Sequence, residues 1–184
     1  MIQVRVTLLG DGAVGKTCTR KTFMGESFKT NYLPTIGADF SHKSYTVLDK
    51  EIKFIIWDLA GQPRFTEIRS MYYAGSIGSF IVYDCTNRST FDNVKNWADE
   101  LWKHCGEGRV PIVLLGNKFD LVDEFPDVVE KQEGLELAKE LSEVHPDINC
   151  KVEFFQSSAK TGLNIEKAFR TLGENAINFI LEKR

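Results

Sequence analysis

The chain has 184 residues, of which 42% are hydrophobic and 27% charged, with a formal net charge of −3. That length predicts a single domain over 1–184 with a full core under a layered sheet, and the charge balance argues against a general basic face for nucleic acid. The four cysteines, Cys18, Cys85, Cys105 and Cys150, include no C-x-x-C pair, and His42, His104 and His145 show no metal-ligand spacing, as expected of reduced thiols in a cytosolic-type compartment.

Ile2, Val4, Val6, Leu8 and Leu9 make a β-branched and aliphatic run of strand length, as a buried parallel strand requires. It leads into Gly10-Asp11-Gly12-Ala13-Val14-Gly15-Lys16-Thr17, which fits G-x-x-x-x-G-K-[ST], the phosphate-binding P-loop. Lys16 to Met24 holds no Gly or Pro and reads as a helix. The loop therefore sits between a strand end and a helix start, where its mechanism needs it. Gly10, Gly12 and Gly15 are expected to allow positive φ and close backbone approach. Successive amides through Gly12, Ala13, Val14, Gly15, Lys16, Thr17 and Cys18 can then curl around phosphate oxygens at a helix N-terminus. Lys16 can reach the β- and γ-phosphates, and the Thr17 hydroxyl can ligate Mg²⁺. A Gly-rich strand-to-helix turn would be the bland alternative; the full pattern in this context argues for a nucleoside di- or triphosphate.

Phe28 opens a long aperiodic segment through Tyr32, Leu33, Pro34, Thr35 and Gly37, and such segments in compact domains are usually functional. Phe40 to Val47 and Glu51 to Trp57 read as an antiparallel hairpin turning through Asp49-Lys50. The second strand runs into Asp58-Leu59-Ala60-Gly61-Gln62. An acidic residue after a buried strand in a P-loop protein is placed to hold Mg²⁺. Gly61 can bring its N–H to a γ-phosphate, and Gln62 can orient an attacking water. Pro63 favours an extended backbone at Gln62 and is harmless at the start of a following helix.

Gly78 to Tyr83 reads as a buried strand, and Asp92 to His104 as a helix whose Trp97 packs in the core. Val110 to Gly116, a further apolar strand, delivers Asn117-Lys118-Phe119-Asp120. Asp120 can accept both the N1–H and the exocyclic amine of guanine; adenine would leave that charge unpaired, a penalty of several kcal/mol. The Lys118 stem can lie against the base while Asn117 ties loops together. Gln132 to Val144 reads as a surface helix ended by Pro146, and Val152 to Gln156 as the last strand. It leads into Ser157-Ser158-Ala159-Lys160, where the Ala159 amide can meet guanine O6. Asn164 to Leu181 is a long amphipathic closing helix. Strands alternating with helices predict an α/β three-layer domain with a mostly parallel sheet and its ligand at the carboxyl ends of the strands.

Together GDGAVGKT at 10–17, Thr35, DLAGQ at 58–62, NKFD at 117–120 and SAK at 158–160 resemble the Ras superfamily of small GTPases over essentially the whole chain. Trp57, Gln62, Arg64, Phe65, Tyr72-Tyr73 and Tyr83-Asp84 most resemble its Rab branch. The resemblance implies a six-stranded sheet with one antiparallel strand and about five helices. It implies two switch segments, Tyr32–Asp39 and Ala60–Tyr73, through which effectors, exchange factors and GTPase-activating proteins bind a monomer. It further implies nucleotide contacts from Phe28, Tyr32, Thr35, Gly61, Asn117, Lys118, Asp120, Ser158, Ala159 and Lys160. Mg²⁺ would be held by Thr17, Thr35 and Asp58, and Gln62 and Lys16 would carry hydrolysis of GTP to GDP. The chain departs from the family's usual pattern at Leu59, where Thr is usual, and at Pro63, where Glu is usual. The absence of a prenylation cysteine at the end and of a myristoylation pattern at Ile2 leads us to expect no lipid anchor in the chain as given and a cytoplasmic protein, peripheral to membranes if a tail has been lost. A nucleotide-dependent binding module with negligible hydrolysis is the alternative reading, and single-turnover hydrolysis separates the two.

Overall fold

The computed structural model describes residues 2–28, 34–143 and 151–183. Tyr32, Val144, His145, Pro146 and Cys150 lie outside the described residues. Six strands, β1 (Ile2–Leu9), β2 (Ala38–Val47), β3 (Lys50–Leu59), β4 (Gly78–Asp84), β5 (Ile112–Asn117) and β6 (Val152–Gln156), form one sheet in the order β2-β3-β1-β4-β5-β6. Only the β2–β3 pair is antiparallel; β3, β1, β4, β5 and β6 run parallel to one another. Parallel neighbours need long crossovers, which the helices provide.

The helices are α1 (Lys16–Met24), α2 (Thr66–Tyr73), α3 (Arg88–Asp92), α4 (Val94–His104), α5 (Lys131–Glu143) and α6 (Ile165–Glu182). Strand alternation distributes them to two faces. Val4, Val6, Leu8, Ile52, Phe54, Ile56, Phe80 and Val82 meet Phe23 of α1 and Phe169 and Leu172 of α6. Ile81, Tyr83, Ile112 and Leu114 point the other way, against Tyr73 of α2, Trp97 and Leu101 of α4, and Leu137 of α5. Phe23 stacks on Phe169 with ring centroids 3.6 Å apart, closing the first layer. Every strand that delivers a motif is therefore clamped from both sides.

Three local expectations are revised. The helix expected from Asp92 to His104 begins earlier and is broken: α3 stops at Asp92 and α4 restarts at Val94, which gives six α-helices among the described residues. Asn93 sits between them with its side chain turned to the P-loop, which explains why the run does not continue as one rod. The hairpin turn is two residues, Leu48 and Asp49, both at positive φ (48° and 57°), with Val47 paired to Lys50. That is the primed turn whose twist matches the strands. The Asp58 motif begins inside β3, which extends to Leu59 and leaves Ala60, Gly61 and Gln62 beyond it.

Candidate functional site

The P-loop connects β1 to α1. Gly10 and Gly15 adopt φ of 132° and 101°. A Cβ on Gly10 would stand 2.0 Å from the Val82 carbonyl oxygen, and one on Gly15 would stand 2.3 Å from Asn117 Nδ2. These two positions need glycine for both conformation and space. Gly12 does not share the expected left-handed backbone; Ala13 adopts it instead, at φ 63°. A Cβ on Gly12 would meet nothing within 4 Å. Lys16 is buried, and its Nζ donates to the carbonyls of Gly10 (2.7 Å) and Asp11 (2.6 Å). Burial brings its ammonium down to about 8, against the pull of Asp58 and Asp11.

At one end of the loop lies a largely apolar cavity of 370 Å³, bordered by Ala13, Gly15, Cys18, Phe28, Asn117, Lys118, Asp120, Leu121, Ala159 and Lys160. Asn117 is buried and does tie loops together: its Nδ2 donates to the Val14 carbonyl (2.8 Å), and its Oδ1 accepts the Ala159 N–H (3.0 Å). The Ala159 amide, expected at a base carbonyl, is thus engaged by Asn117 in this structure. Asp120 accepts from Ser158 Oγ (2.5 Å), with Lys160 Nζ 3.7 Å from its other oxygen. Lys118 stands at positive φ and pairs with Asp84 at 2.6 Å, which fixes the direction of its stem along the cavity wall.

At the other end is a smaller space of 140 Å³ lined by Gly12, Ala13, Lys16, Pro34, Thr35, Leu59, Ala60, Gly61 and Gln62. The hydroxyls of Thr17 and Thr35 meet at 2.9 Å. Asp58 is fully buried, and neither carboxylate oxygen has a hydrogen-bond partner among the described residues. Burial pushes this carboxyl up, while neighbouring Thr17, Lys16 and Arg20 pull the other way. A buried, unsatisfied carboxylate next to two hydroxyls is a hard oxygen set of the kind Mg²⁺ takes, so the residues present fit the ion. Gly61 packs so closely on the loop that a Cβ would lie 2.3 Å from the Gly10 carbonyl oxygen. Gln62 is extended (φ −77°, ψ 140°) and caps a 3₁₀ turn that Pro63 opens, as its sequence context requires.

Sequence reasoning missed several residues here. Arg20 is buried, pairs with Asp39 at 2.6 Å and holds its Nε 3.8 Å from Asp58. Asp11 Oδ1 accepts from Asn93 Nδ2 (2.8 Å) and Trp97 Nε1 (2.7 Å), so Trp97 is more than core packing. Arg69 of α2 binds Glu100 of α4. Tryptophan's single donor was the one available hint; long-range arginine pairings leave no periodic trace.

Comparison with known proteins places this geometry in a family. The Ras family model matches residues 5–178. Rab-10 of Diplobatis ommata is 41% identical over 173 residues, covering 94% of this chain and 80% of that protein. Rab-8B of Bos taurus is 38% identical over 179 residues, 97% of this chain and 81% of the relative. RABE1d of Arabidopsis thaliana is 37% identical over 172 residues, 94% and 74% respectively. The loop, the two cavities it borders and the match along nearly the whole length lead to one conclusion: the chain belongs to the Ras family of small GTPases and is similar to Rab proteins.

Proposed function

We propose that the protein is a guanine-nucleotide switch that binds GTP and GDP with Mg²⁺ and hydrolyses GTP slowly. One observation carries the reading: Ala13 borders both cavities, so the loop joins a flat apolar slot for a base to a small polar space for a terminal phosphate. Asp120 reads the two guanine donors, and Lys118 and Phe28 flank the ring. Lys16 exchanges its loop carbonyls for β- and γ-phosphate oxygens. Thr17, Thr35 and Asp58 would hold Mg²⁺, which supplies neutralisation of phosphate charge when bound. Gln62 orients the attacking water in line with the leaving oxygen, and the loop amides and Lys16 stabilise charge on the transferred group. Loss of the γ-phosphate releases Thr35 and Gly61, relaxing both switch segments.

The partner face follows from exposure at these segments. Ile36 is 81% exposed and Met71 70%, beside Phe40, Trp57 and Tyr72, whose rings stand within 5.1 Å of one another in sequence along the patch. Apolar side chains left in water next to a ligand-gated loop suit regulators and effectors that read the switch state. Because the described part of the first switch segment contains no arginine, rapid turnover is assigned to an arginine supplied by a partner, worth about 10³–10⁵ in rate in this enzyme class. A role in membrane traffic rests on the likeness to Rab proteins. Competition binding with GTP, ATP and XTP, followed by single-turnover hydrolysis, tests the proposal. Equal affinity for ATP and GTP would sink the guanine assignment, and retained GTP over many hours would favour a binding module without hydrolysis.

A further inference from the structure

Arg69 is 3% exposed, and its guanidinium is spent in three directions. Nη1 donates to the carbonyls of Ala60 (3.2 Å) and Gln62 (2.9 Å). Nε and Nη2 grip the Glu100 carboxylate at 3.0 and 3.2 Å, and Nη2 also reaches Thr66 Oγ1 at 3.1 Å. The guanidinium carbon lies 4.5 Å from the Trp97 ring centre, and the Tyr73 hydroxyl donates to the same carboxylate at 2.7 Å. A buried cation is tolerable only when paired, and Glu100 and the Trp97 face supply that pairing from α4.

The carbonyls it holds flank Gly61. The Ala60 peptide is also held on its other side, since its N–H donates to the Gly37 carbonyl at 2.8 Å. The segment carrying Gly61 and Gln62 is thus suspended between the first switch segment and a guanidinium anchored outside both switches. Trp97 continues the connection by donating to Asp11 of the P-loop at 2.7 Å. We propose that Arg69 is a positioning residue for GTP hydrolysis: anchored by Glu100 and Trp97, it fixes the backbone that presents Gly61 and Gln62 to the terminal phosphate. This rests on the assignment of Gln62 to the attacking water. Only a planar fork with five donors serves two carbonyls and a carboxylate together; a lysine ammonium at the same place serves one or the other.

The test compares the full chain with Arg69→Lys and Glu100→Gln by single-turnover hydrolysis of Mg²⁺·GTP, GTP and GDP affinity, melting temperature and amide hydrogen exchange at 61–66 with GDP bound. Arg69→Lys lowers the hydrolysis rate about tenfold or more and speeds exchange at 61–66, with affinities held within about twofold. Glu100→Gln keeps a hydrogen-bond acceptor for Arg69 but loses the ionic anchor, so it lowers hydrolysis too, by less than Arg69→Lys, with a matching smaller rise in exchange at 61–66. Native-like hydrolysis by Arg69→Lys overturns the proposal. So does a loss of hydrolysis in either variant without faster exchange at 61–66, since the proposed role acts through that backbone. If the native protein itself does not hydrolyse GTP, the preceding reading fails, and exchange alone decides: unchanged protection of 61–66 in Arg69→Lys overturns positioning, and lost protection supports it.

Discussion

The two ends of the cleft are built on opposite terms. Around the base slot, the polar groups are already committed to one another: Asn117 to Val14 and Ala159, Ser158 to Asp120, Lys118 to Asp84. Around the phosphate space, Asp58 is buried with no hydrogen bond to either oxygen among the described residues, and Arg20 Nε stands 3.8 Å away from it, also without a hydrogen-bond acceptor. The Thr17 and Thr35 hydroxyls meet at 2.9 Å beside it. A pre-tied end can select a ligand without changing shape. An end with unsatisfied groups gains most when the ligand arrives and loses most when part of it leaves, which is what a sensor of the terminal phosphate requires.

Four substitutions bear on this contrast. The largest effect is expected of Asp120→Asn, which should shift preference from GTP to XTP by about 10³-fold, because the amide leaves guanine donors unmatched and suits a carbonyl instead. Competition binding reads it, and an unchanged preference would remove Asp120 from base selection. Asn117→Ala cuts the tie between P-loop and base slot; two buried hydrogen bonds at about 1–1.5 kcal/mol each translate to a melting temperature lower by roughly 4–12 °C. Affinity for GDP and GTP should fall alike, since this end does not sense the γ-phosphate. A loss confined to GTP would blur the division between the two ends.

Asp58→Asn tests the opposite end and has the opposite sign. Burial holds the Asp58 carboxyl above its ordinary range, so its ionised form at neutral pH detracts from the stability of the ligand-free protein. Removing the charge should raise the ligand-free melting temperature by about 2–6 °C. It should also make GDP release less sensitive to chelation of Mg²⁺, measured by nucleotide fluorescence with and without EDTA. A lower melting temperature would show that the Arg20 contact outweighs desolvation. The smallest effect is expected of Pro63→Glu. Gln62 is already extended and its carbonyl is held by Arg69 at 2.9 Å, so hydrolysis should change by less than about threefold with affinity and melting temperature unmoved. A larger change would make Pro63, and not Arg69, the determinant of that backbone.

Much of this was readable from the amino-acid order. The strands that deliver Gly10, Asp58 and Asn117 announce themselves by aliphatic runs, and the motifs follow each run directly. What the one-dimensional pattern hid was of two kinds. Positive φ at Ala13 and the break at Asn93 go with what the neighbouring chain needs, since Asn93 gives its side-chain amide to Asp11. The Arg69–Glu100 and Arg20–Asp39 pairs join residues 31 and 19 positions apart. Neither period nor motif spacing carries such information, because the partners meet only after β3 and α4 have packed.

The sheet order has a consequence for how the molecule comes into being. β1, first to be made, ends up between β3 and β4, and its loop is walled by Val82 of β4 and Asn117 of β5. The phosphate clamp therefore leaves the ribosome long before its walls exist. At the usual speed of synthesis, roughly ten seconds or more separate Thr17 from Ala159. Under the proposed function, nucleotide would be retained only once β6 has joined β5 and carried Ser158 and Ala159 to Asn117. Ligand capture is thus a late event in the life of the nascent chain, and it stabilises by mass action the edge of the sheet that was last to form.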